Sequence, residues 1–205
     1  EQARPVNVLH DNVAQALRAE LRSKVDAYTF EAVERWTDST AKAIGCYPEA
    51  IYMVALLECG LDPFRVRDDR VAAGWLQFTR TGLQRHGVAL ERLINACNRK
   101  DVHFVMSLSH AYLIARRRQA KRPLNTAIDV YLAVFAPSKI GQEGTAVIYE
   151  GFNNPAYYMN AGLDGWRLSA SGIIYRSRKD GRITIEELYL CMMRKVALCA
   201  KKWEK

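Results

Sequence analysis

Glu58 is the residue whose type and surroundings are best suited to do chemistry. It follows the apolar run Met53-Val54-Ala55-Leu56-Leu57, and a carboxyl drawn into apolar surroundings keeps its proton to higher pH because burial penalises the charged form. Such a group can give a proton near neutrality and take one back, first as general acid and then as general base. Downstream, Gly74-Trp75-Leu76-Gln77-Phe78 supplies three useful parts. Gly74 would let backbone come close to a ligand, the Gln77 amide can donate and accept, and Trp75 and Phe78 offer apolar faces for a cleft wall or for the core. Tyr131 could add a supporting hydroxyl, although a tyrosine on an apolar helix is more often a core residue with its hydroxyl at the edge. Asp62, Asp68 and Asp69 are candidates for a second carboxyl, and spacing alone does not fix their distance from Glu58. A lone Glu at the end of an apolar helix is usually solvated or ion-paired; the segment Gly74 to Phe78 reverses that preference.

Other chemistries find less support. His103 and His110 lie seven apart without an HExxH pattern, so no metal site is expected. Cys59 has no identifiable histidine partner and reads as a small buried thiol. P-loop and GxGxxG signatures are absent, and no cofactor is expected. Arg116, Arg117, Arg118, Lys121 and Arg122 could grip phosphate, but cations near a helix C-terminus also complement its dipole and form a solvated face. Residues 176–187 carry an EF-hand-like frame, with Gly181 sixth, Ile183 eighth and Glu187 twelfth. Arg176 and Arg178 stand where oxygen donors belong and put positive charge at the cation position, so a turn without calcium is expected.

These candidates need helices to hold them. Leu9, Val13, Leu17, Leu21 and Val25 recur every four residues, and Phe30, Val33, Ala41 and Ile44 continue to Gly45, predicting two helices over 6–45. Pro48 opens a third that ends near Glu58, before Gly60 and Pro63. Two more are predicted between Val88 and Arg118, another over Thr126–Phe135, and a last one from the capping pattern Thr184-x-x-Glu187 to about Lys202. Residues 141–183 read as irregular. No strand alternation stands out, so the expected fold class is all-α, with N-terminal helices over 1–46, a core over 47–141 and a small helical C-terminal lobe over 142–205. At 205 residues and 49% hydrophobic content the chain can bury one sizeable core. A formal charge of +8 favours polyanionic partners without choosing among them. Five cysteines form no CxxC pair, and the odd count leaves a thiol free, which points to synthesis in a reducing cytoplasm. No apolar run is long enough to span a bilayer, so no membrane partner is expected. The start at Glu1 reads as that of a processed product or a piece of a larger polypeptide.

Ala55-Leu56-Leu57-Glu58-Cys59-Gly60-Leu61-Asp62-Pro63, followed by Gly74 to Phe78, resembles the lytic transglycosylases of the goose-lysozyme-like superfamily. Asp129-Val130-Tyr131-Leu132-Ala133-Val134-Phe135-Ala136-Pro137 with Ile140-Gly141 looks like the branch found in phage virion and tail proteins. Together these segments span Pro48 to Gly141. The chain departs from the pattern in carrying Cys59 where Ser is common, and in lacking an Ala-Tyr-Asn motif. The resemblance implies a lysozyme-like fold, Glu58 as the single catalytic carboxylate, and Gln77, Gly74, Tyr131, Trp75 and Phe78 around the substrate. It further implies cleavage of peptidoglycan glycan strands to 1,6-anhydro ends, with residence in a virion alongside other tail proteins and action on the cell wall or periplasm. Two alternatives stay open: a muramidase of the same fold that uses water, and a non-catalytic basic helical module binding wall polymer or nucleic acid. Nucleic acid is a less expected partner.

Overall fold

The computed structural model describes residues 8–203, with side chains described from residue 12 onward apart from Pro155, Tyr158 and Met159. The Leu9 side chain, first in the apolar repeat, lies outside that set. Helix α1 (Val8–Arg22) buries Leu17 and Leu21. Asp26 caps α2 (Ala27–Ile44) by accepting from the Thr29 N–H at 2.7 Å, which satisfies a donor left open at the helix start. Gly45 ends α2 at φ +85°, and a Cβ there would sit 2.9 Å from Pro123 Cβ, so both conformation and space demand glycine. Pro48 occupies the first turn of α3 (Pro48–Glu58), which buries Ile51, Tyr52, Val54 and Ala55. The chain then reverses through Gly60 and Leu61, both at φ +64°.

Strands β1 (Ala72–Ala73) and β2 (Phe78–Thr79) pair antiparallel around the Gly74–Gln77 turn. Helices α4 (Arg80–Gln84), α5 (Leu90–Asn98), α6 (Val102–Ala120) and α7 (Ala127–Phe135) follow, then a 3-10 turn at Pro137–Lys139. Thr126 and Asp129 close a reciprocal capping box at the start of α7. Helix α6 lies along α2, while α7 packs on α3 and so brings Tyr131 toward the end of α3.

The remaining chain holds β3 (Val147–Glu150), α8 (Pro155–Asn160), β4 (Trp166–Leu168), β5 (Ile174–Arg176), β6 (Arg182–Thr184) and α9 (Ile185–Trp203). The molecule is therefore mostly helical, but the all-α expectation needs correction: β1 pairs with β2, β3 with β6 and β4 with β5, and the C-terminal lobe is mixed rather than helical. Each strand is too short for a period of two to register in the sequence. The pairing of Val147 with Thr184 also joins residues far apart in the chain.

The EF-hand-like turn is closed in a way different from the expectation. Glu187, at 3% exposure, accepts from the Thr184 N–H at 2.9 Å and the Gly165 N–H at 2.9 Å, and it pairs with the Arg167 guanidinium. Buried Asp164 accepts from the Tyr157 hydroxyl at 2.5 Å and the Gly181 N–H at 3.0 Å. The internal positive charge thus comes from Arg167 on the neighbouring hairpin, not from Arg176 or Arg178. Arg176 instead donates to the carbonyls of Ala161 and Gly162.

One continuous core joins Leu17, Ile44, Tyr52, Trp75, Leu113 and Leu188, which come from the N-terminal helices, the middle of the chain and α9 alike. Burying a side chain of the size of Leu188 stabilises by about 1.5–3 kcal/mol before ordering costs. Helix α9 packs on α1, α3 and α7, so the last helix walls the region where Glu58 ends α3.

Candidate active site

Glu58 is the last residue of α3, and three elements surround it: its own helix, α7 and α9. The residue keeps some accessible surface while its carboxyl is largely enclosed. Burial is the largest influence and pushes its pKa from 4.5 up to about 7; the Tyr131 hydroxyl, which donates to the carboxyl, and the positive charge of Lys195 pull the other way. Tyr131 is 6% exposed on α7. Its own ionisation is pushed well above the ordinary range by burial first and by the Glu58 charge next. The pair therefore favours a phenol that stays protonated and a carboxyl that can exchange its proton near neutrality. Behind them, the Cys59 thiol is buried and donates to the Ala55 carbonyl at 3.2 Å. Burial raises its pKa strongly, so it is inert packing at the C-terminus of α3.

Gly74, Trp75, Gln77 and Phe78 build a turn whose side chains mostly face inward. Gly74 sits at φ +82°, a conformation that favours glycine, and a Cβ would point at Leu93 and Val105, 3.4–3.5 Å away. Trp75 is fully buried and meets the Tyr52 ring edge-on, with centroids 6.1 Å apart, so the turn is bolted to α3 one and a half turns before Glu58. Phe78 packs edge-on against Tyr112 at 5.0 Å. Gln77, at φ +48°, donates through Nε2 to the carbonyls of Arg65 at 3.1 Å and Gly74 at 3.0 Å, holding the turn closed. Its Oε1 is buried without a partner among the described residues.

Two of the three acidic candidates, Asp62 and Asp69, have partners within their own loop. Asp62 accepts from the Phe64 N–H at 3.0 Å, while Asp69 pairs with Arg67 at 2.6 Å and accepts from the Val71 N–H. None of the groups that shift Glu58 is a carboxylate. His103 bonds Tyr28 at 2.9 Å and Trp36 at 3.3 Å, and His110 bonds Thr40 at 2.9 Å, so both fasten α6 to α2. All five cysteines are free thiols. Among the described residues, no cluster of three His, Cys, Asp or Glu side chains could hold a metal ion.

Lys195 is the residue near Glu58 that sequence reasoning missed. It lies one turn beyond Cys191 on α9, in a stretch that reads as an ordinary amphipathic helix, and only the packing of α9 on α3 and α7 brings it to the site. The capping pattern located the start of that helix but carried no information on what its faces would meet. Neither a scan against protein-family models nor a search of curated proteins returns a match to this chain.

Proposed function

We propose that the chain is a peptidoglycan lytic transglycosylase with a lysozyme-like helical fold, opening the wall locally as part of a phage particle. The observation that carries this reading is a single enclosed carboxyl, Glu58, with its pKa pushed to about 7, bonded by Tyr131 and without a second carboxylate among the groups that shift it. Protonated Glu58 gives its proton to the glycosidic oxygen as the bond from C1 of the muramic sugar breaks. The 6-hydroxyl of the same sugar then bonds to C1 and passes its proton back to Glu58, leaving a 1,6-anhydro end and a restored acid. Tyr131 steadies the carboxylate between the two transfers. A hydrolase that relies on two carboxylates would place the second within about 5–9.5 Å of the first; none of the groups that shift Glu58 is a carboxylate.

Mass spectrometry of fragments released from purified peptidoglycan tests the proposal. Anhydro-muramic ends that disappear in Glu58→Gln are the expected result. Reducing ends would make the enzyme a muramidase, and fragments released equally by the variant would remove Glu58 from the chemistry. Absence of any release by folded wild-type protein would favour a basic binding module.

A further inference from the structure

Several basic side chains that pack on the body of the fold have acidic partners: Arg18 meets Glu34 and Glu49, Lys24 and Lys202 meet Glu20, and Arg167 meets Glu187. Arg176, Arg194 and Lys195 are exposed and form no salt bridge among the described residues. They are also arranged. Pairing of Trp166 with Arg176 across β4 and β5 puts both on one face of the hairpin. The half-buried Trp166 ring lies within cation–π range of two guanidiniums, Arg176 at 5.8 Å and Arg194 at 5.5 Å. Arg194 donates to the Ile174 carbonyl at 3.3 Å and so pins α9 to the hairpin. These few carbonyl bonds fix the two guanidiniums while leaving most of their five N–H donors unused.

The strip leads to the active carboxyl. Cys191, Arg194 and Lys195 share one face of α9 by their spacing of three and four. Lys195 stands close enough to Glu58 for its charge to favour the ionised carboxyl. Helix α9 meanwhile packs against β4 on one side and α3 and α7 on the other. The other cationic cluster, Arg117, Arg118, Lys121 and Arg122, has no such link: it lines a hollow at the C-terminus of α6, where it complements the helix dipole.

We propose that Trp166, Arg176, Arg194 and Lys195 form a basic face beside Glu58 that binds the carboxylates of the peptide stems borne by a glycan strand lying across Glu58. This rests on the transglycosylase reading and names the part of the substrate that reading leaves open. Planar guanidiniums held by a ring suit carboxylates, which they can grip through two N–H donors at once, and the ammonium of Lys195 supplies a point charge beside the scissile region. The proposal assigns the C-terminal lobe a role in choosing strands that still carry stems.

The test uses the whole chain with Glu58→Gln, so that strands stay intact, and soluble glycan strands free of phosphate polymers. Binding is compared for strands with native stem carboxylates and for strands whose carboxylates are converted to neutral amides. The native strands should bind about tenfold more tightly at 0.1 M salt, the size expected of two or three exposed charge pairs. Adding Lys195→Glu, or separately Arg194→Gln, should bring the ratio close to one. Lys195 has no hydrogen-bond role in holding the hairpin, so its substitution remains informative if loss of Arg194 loosens β4 and β5. Equal binding of the two strands, or a preference that survives both substitutions, overturns the proposal. Fragment release by wild-type protein is read separately: cleavage without stem preference sinks this inference alone, and stem preference without cleavage sinks the transglycosylase reading alone.

Discussion

Replacing Glu58 by Gln should stabilise the protein, by an amount that depends on pH. The folded chain holds the Glu58 proton more tightly than an unfolded chain does, because its pKa rises from 4.5 to about 7 on burial. Protonation therefore favours the fold. This contribution is complete below pH 4.5, falls as pH climbs toward 7, and is lost above it. Each tenfold change in proton affinity is worth about 1.4 kcal/mol, so carrying an ionised carboxyl at this position costs the fold about 3 kcal/mol above pH 7. Gln has nearly the same shape and no charge to bury. Urea unfolding of wild type and Glu58→Gln under reducing conditions should give similar stabilities near pH 4.5, with the variant pulling ahead to a plateau of about 3 kcal/mol by pH 8. The matching difference in melting temperature is about 6–12 °C for a chain of this size. A difference that does not change with pH would show that the carboxyl is solvated in the folded state, and the account of Glu58 as an acid poised by burial would fail with it.

Tyr131→Phe removes the hydroxyl that favours ionised Glu58. The fall of activity at alkaline pH should then move upward by about one pH unit, since a hydrogen bond to a charged group contributes roughly 1.5 kcal/mol; an unmoved limb in the pH–rate profile would remove Tyr131 from this role. Gly74→Ala, forced into a left-handed conformation at φ +82°, should lose about 1–2 kcal/mol in denaturant unfolding. Glu187→Ala leaves Arg167 with Asp180 as its remaining carboxylate partner, strips the acceptor from two backbone N–H groups, and should cost about 2–4 kcal/mol. That loss should be the same with calcium and with chelator, and calorimetry of wild type should show no calcium binding; a calcium-dependent difference would mean the turn retains a cation site.

The long helices were legible because each carries its own local signals. Gly45 ends α2, Pro48 opens α3, and the Thr184–Glu187 box starts α9. Apolar spacing between these signals states which face is buried. The short strands had no such marks, and their pairing is a property of contacts between distant segments. Glu58 stood out because an apolar run precedes it, but its partners were of two kinds. Tyr131 could be named as a candidate from its motif. Lys195 could not, since nothing in Cys191-Met192-Met193-Arg194-Lys195 says that this face of α9 turns toward α3.

The Gly74–Phe78 segment divides along the same line. Its residue types promised a close backbone approach at Gly74, an amide and two rings, and the structure builds them into a turn. Whether the rings would face a ligand or the interior is decided by packing: Trp75 is fully buried against Tyr52, and Gly74 faces Leu93 and Val105. The sequence by itself determined where helices begin and end and which carboxyl has apolar neighbours, because capping, proline and apolar periodicity act within a few residues. Tertiary structure alone decided that α7 and α9 converge on that carboxyl, and that Arg167 pairs with Glu187. Desolvation and charge pairing depend on distances through space, which chain order does not encode locally.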